Sequence, residues 1–101
     1  MIFSGDNFIF KGFNPSDDLR VYGKEVYSRV ENKAPGESKK RAFISKTTKG
    51  YEGSFRIASA AGVFKANSEN RSAISLMDEL YIKMSLQILD WKKKRDNNNK
   101  D

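Results

Sequence analysis

Three short segments that read as β-strands, Arg41 to Thr47, Tyr51 to Ser59 and Val63 to Asn67, are separated only by Thr48-Lys49-Gly50 and Ala60-Ala61-Gly62. Gaps of that length join neighbouring strands as hairpins. Within the second segment, Gly53-Ser54-Phe55-Arg56-Ile57 alternates apolar with polar or small residues, as in a sheet with one covered face. On both sides of this region the period changes. Leu19, Tyr22, Val26 and Val30 recur at helical spacing behind Asn14-Pro15-Ser16-Asp17, where Asn or Ser can cap free N–H groups and Pro fits a first turn. Gly23 lies on that stripe and leaves room for a close neighbour, and Ala34-Pro35-Gly36 ends the helix. A second stripe, Ala73, Met77, Leu80, Met84, Gln87 and Trp91, predicts a helix that starts near Ser68 to Ser72 and runs to about Lys94. With Phe8 to Lys11 as a first strand, the order is β-α-β-β-β-α. The predicted fold class is α+β, a four-stranded sheet with two helices packed on one face.

A chain of 101 residues holds one domain. It is expected to span 8–95, behind a leader at 1–7 and ahead of a tail at 96–101 that is too polar to pack and is expected to be disordered. No apolar run approaches the roughly 20 residues that cross a bilayer, and the N-terminus lacks the pattern of a signal peptide. Without cysteine there is no disulfide, and a cytoplasmic location is the default. The lack of both Cys and His removes thiol nucleophiles, imidazole bases and nearly every zinc or haem site. The acidic residues form no cluster: Asp17 and Asp18 suit a helix start, while Glu25 with Arg29 and Glu79 with Lys83 are helix-surface pairs. Gly50 and Gly53 belong to no phosphate-cradling motif. The reading is a binding protein and not an enzyme, with no catalytic residues, metal, cofactor or small-molecule substrate.

Nineteen Lys and Arg against thirteen Asp and Glu give a net charge of +6, which points to an anionic partner. The charge is grouped. Lys39, Lys40, Arg41, Lys46 and Lys49 fall in a stretch free of acids, and Lys92-Lys93-Lys94-Arg95 closes the last helix. Both groups are candidate RNA contacts.

The element order, the stretch Gly62-Val63-Phe64-Lys65-Ala66, Asp78-Glu79-Leu80, and the placing of Lys83, Gln87 and Lys92 to Lys94 resemble the short ribosome hibernation-promoting factors, also called protein Y or ribosome-associated inhibitor A. Lys11-Gly12 followed by Asp18-Leu19-Arg20 is similar to a shortened form of that family's strand-to-helix junction. The resemblance runs through nearly the whole chain from Phe8. It implies a stress-response translation regulator that binds the small ribosomal subunit and its rRNA and blocks the mRNA and tRNA path. Contacts carried over by position are Arg20, Arg29, Lys83, Lys92 and Lys94, with Lys93 from the same block; Lys39, Lys40, Arg41, Lys46 and Lys49 are added on charge alone.

The chain also departs from that family. Leu86 and Asp90 stand where basic residues are usual on the second helix, and Val26 stands where a Lys is common on the first. Ile82, Leu86 and Leu89 form their own apolar strip beside or opposite the core stripe. The alternative reading is therefore a protein-interaction module, with these residues binding a second copy or another partner. A double-stranded RNA-binding domain has a similar element order, but Asn70-Arg71-Ser72-Ala73-Ile74 carries one charge where such a domain begins its helix with several.

Overall fold

The computed structural model describes residues 7–98, with side chains from 8 to 95. Strand β1 (Asn7–Lys11) leads to helix α1 (Asp17–Lys33), strands β2 (Lys39–Thr47), β3 (Gly50–Ser59) and β4 (Gly62–Asn70), and helix α2 (Ala73–Asn98). The sheet is four-stranded in the order β1-β2-β3-β4, with β1 parallel to β2 and the remaining pairs antiparallel. This is the expected α+β fold.

The period of two decides the two faces. Lys40, Ala42 and Ile44 of β2, Gly53, Phe55 and Ile57 of β3, and Phe64 and Ala66 of β4 are buried beneath the helices. Side chains between them point to the other, open face. Helix α1 starts at Ser16, whose Oγ accepts from the Leu19 N–H at 3.2 Å, and buries Leu19, Gly23, Val26 and Val30. A Cβ on Gly23 would lie 3.0 Å from the Phe8 ring, so the small residue lets β1 pack against the helix. From there rings run through the core: Phe8 to Tyr27 at 5.9 Å and Tyr27 stacked on Phe55 at 5.5 Å. Fully burying a side chain such as Phe55 or Ile57 contributes about 1.5–3 kcal/mol.

Strand β4 runs to Asn70, beyond the expected end at Asn67, because its last residues pair with β3, Gly53 with Ser68 and Tyr51 with Asn70. Gly50, at φ 149°, turns the chain where a Cβ would meet the Asn70 carbonyl oxygen at 2.6 Å. Asn70 Oδ1 then accepts from the Ser72 N–H, and Ser72 Oγ accepts from the Ser75 N–H at 3.3 Å, which caps α2. Leu76 and Ile88 join Ala73, Met77, Leu80 and Met84 in the core. Gln87 and Trp91 sit at its margin; the Trp91 ring is half-buried, edge-on to Phe64 at 6.1 Å. Helix α2 passes Lys94 and continues to Asn98, so Asp96 to Asn98 are helical. The rest of the expected leader and tail lies outside the described residues, and Asn7 opens β1.

Candidate nucleic-acid interface

The expected RNA contacts fall in four places. Lys39 and Arg41 lie on the open face of the sheet, and Lys46 and Lys49 at the tip of the β2–β3 hairpin. Lys92, Lys93 and Lys94 lie at the end of α2, whereas Arg20 and Arg29 are exposed on α1. Two residues are committed elsewhere. Lys40 is a correction: it is in phase with Ala42 and Ile44, and 6% exposed. Its Nζ donates to the Ser38 carbonyl at 3.2 Å and lies 3.8 Å from Glu31 Oε2, so it faces inward and offers no charge to a ligand. Lys83 Nζ donates to the Asn67 carbonyl at 2.7 Å and serves the sheet. Partial engagement continues elsewhere: Arg20 donates to Asn14 Oδ1, Lys94 pairs with Asp90 at 3.2 Å, and Lys46 lies over the Tyr51 ring at 4.8 Å.

The open face gathers cations that sequence reading missed. Arg41 pairs in register with Arg56, and Arg56 with Lys65, so three adjacent strands each present a cation in one cross-strand row. All three are exposed, and among the described residues no carboxylate lies within ion-pairing distance of them. Ile9, Phe43, Ser54 and Asn67 form the next row, where Lys11 Nζ stands 4.4 Å from the Phe43 ring centroid. The acids of this face, Glu52 and Glu69, are paired with each other one row further on. Lys39 pairs with Ala58 at the opposite end. Past that end, beyond the β3–β4 turn, a cleft is lined by Lys33, Lys92 and Arg95 with Trp91, and no acid. The signal for Arg56 was the strand parity, since it alternates with Phe55 and Ile57; hairpin register supplied the rest.

On the helical side, α2 fastens itself to the outer edge of β4. Gln87 accepts from the Lys65 N–H at 3.0 Å and donates to the Lys65 carbonyl. Glu79 accepts from Ser68 Oγ and from Asn70 Nδ2 at 2.7 Å, and these bonds hold its carboxyl below the usual glutamate range, Ser68 contributing most. The Asp78 carboxylate accepts from the Tyr22 hydroxyl and joins the helices; that bond raises the phenol above its ordinary value. Outward from these contacts, Ile82, Leu86 and Leu89 are 55%, 61% and 49% exposed, so α1 does not cover the strip.

No helix among the described residues is long and apolar enough to cross a membrane. No family model and no curated protein sequence matches the chain. Solved structures do match. The protein Y N-terminal domain of Thermus thermophilus superposes with a TM-score of 0.66 at 15% identity, over 80% of this chain and 90% of that one. A ribosomal subunit interface protein from Coxiella burnetii gives 0.71 at 14% identity, over 87% of this chain and 97% of that one. The chain has the fold of the protein Y N-terminal domain and of that ribosomal subunit interface protein.

Proposed function

We propose that the protein is a ribosome-associated translation inhibitor, a hibernation factor that binds the small ribosomal subunit and occupies the mRNA and tRNA path. The observation that carries this reading is the extent of the likeness to the ribosomal subunit interface protein, 97% of whose chain is covered. A fold alone is compatible with many functions, so the surface must support the reading. It does so with +6 of net charge and with exposed cations on the open sheet face that have no carboxylate in ion-pairing distance among the described residues. Arg20, Arg29, Lys39, Arg41, Lys46, Lys49, Lys92, Lys93 and Lys94 are its candidate rRNA contacts, without Lys40 and Lys83. Binding alone blocks the path in the cytoplasm, with no catalytic step or cofactor. Cosedimentation with purified small subunits at two salt concentrations, alongside translation of a reporter mRNA in vitro, tests it. Retention at low salt, release at high salt and inhibited translation are expected; absence of retention at low salt overturns it.

The exposure of Ile82, Leu86 and Leu89 favours a second reading, a homodimer or protein-partner surface on α2. Sedimentation of the pure protein over a concentration series distinguishes it from a monomeric RNA binder.

A further inference from the structure

We propose that the open face of the sheet binds single-stranded RNA, with Arg41, Arg56 and Lys65 on phosphates and Phe43 as a stacking ring for a base. The ligand class rests on the RNA-binding reading above; the assignment to this face stands on the register. Neighbouring strands lie about 4.8 Å apart, so the three cations span roughly 10 Å of the surface. Like charges directly opposite one another destabilise a sheet. Here two such pairs share one row, with no carboxylate in ion-pairing distance among the described residues. A polyanion laid across the row relieves that repulsion and gains counterion release. Phe43 lies one row away, half-buried and beside exposed Ile9, and among the described residues the Lys11 ammonium stands over its ring. An incoming base displaces that ammonium, which remains within reach of the same nucleotide's phosphate. Ser54 and Asn67 beside Phe43 leave the surface low, suited to splayed bases rather than to a duplex groove, and Glu52 and Glu69, which line the cleft on its other side, direct the phosphates towards the cation row.

The test compares the parent with Arg41→Gln/Arg56→Gln/Lys65→Gln, with Phe43→Ala and Phe43→Trp, and with Lys92→Gln/Lys93→Gln/Lys94→Gln. The probes are a labelled oligouridylate of about 12 nucleotides, an RNA duplex of equal length, and small subunits. The parent is expected to prefer the single strand. The sheet triple variant should lose roughly 100-fold in affinity and about 2 units of salt slope. It should melt at or above the parent's temperature, because the like-charge row is gone. Phe43→Ala should lose about tenfold and Phe43→Trp should keep or tighten binding. Arg56→Gln alone repeats the effect in part should the triple variant not fold. The sheet assignment falls, with the ribosome reading intact, if the sheet variants bind as the parent does while the helix-end variant loses affinity. It falls likewise if the parent holds small subunits but not the oligonucleotide, or if polyglutamate competes as well as RNA. Binding of neither RNA nor subunits by the parent overturns both readings.

Discussion

Lys40 and Arg41 are neighbours in sequence and opposites in situation. One ammonium is turned under the helices towards Glu31 and Ser38; the next guanidinium stands in water between strands, in a row with Arg56 and Lys65. The same contrast holds for the two faces they belong to. On the helical side Lys83 is tied to the Asn67 carbonyl and Lys94 to Asp90, and α2 carries the exposed apolar strip of Ile82, Leu86 and Leu89. On the sheet side Arg41, Arg56 and Lys65 have no carboxylate in ion-pairing distance among the described residues. A net charge counts a buried, engaged cation such as Lys40 and an exposed one such as Arg41 alike, but only the second is available to a partner.

The largest expected effect breaks the comparison at its sharpest point. Lys40→Glu places a carboxylate among buried groups beside Glu31 and should cost about 3–5 kcal/mol, enough to unfold much of the protein, whereas Arg41→Glu should leave thermal stability nearly unchanged. Equal melting temperatures for the two variants would erase the distinction between the faces.

Next in size is salt. Four contacts on single-stranded RNA imply a slope near −2.8, so a fourfold rise in salt should weaken binding by roughly 50-fold. A flat response would mean that the unpaired row is not what meets RNA.

Leu86→Arg sharpens the helical side. With Leu86 61% exposed, the change in stability should stay within about 0.5 kcal/mol. If the strip meets rRNA, the added charge tightens subunit binding by a protein that stays monomeric. If it is a protein interface, self-association or partner capture is lost on the sedimentation profile. Unfolding would mean that the strip is core.

The smallest effect is on the acid limb of stability. Glu79 titrates below its ordinary range in the folded chain, so the unfolded chain binds more protons in the interval between the two values. Its contribution is present above the ordinary glutamate range and fades as pH falls through the folded value. Glu79→Gln should flatten that part of the curve, read by thermal melts in a pH series, and leave RNA affinity at neutral pH unchanged.

Much of this was legible in the residues, for a physical reason. Apolar period, capping at Ser16 and hairpin spacing are local, and they yielded the six elements in order. Lys40 was legible too, since a period of two puts it in phase with Ala42 and Ile44; weighing it as charge alone placed it on the wrong face. The row of Arg41, Arg56 and Lys65 was not legible, because it depends on the register of two hairpins, which a one-residue slip would reverse. Leu76 and Ile88 were missed because a helix packed against both a sheet and a neighbouring helix buries a wider arc than a single stripe.

The clasp of Glu79 and Gln87, with Lys83, on β4 has a consequence for how copies of this protein can meet. The outward N–H and C=O of Lys65 and the outward carbonyl of Asn67 already have side-chain partners, so a foreign strand can pair with the middle of that margin only by displacing them. Ribbon-like polymerisation through the centre of β4 is thereby disfavoured, and the opposite edge of the sheet is the five-residue β1.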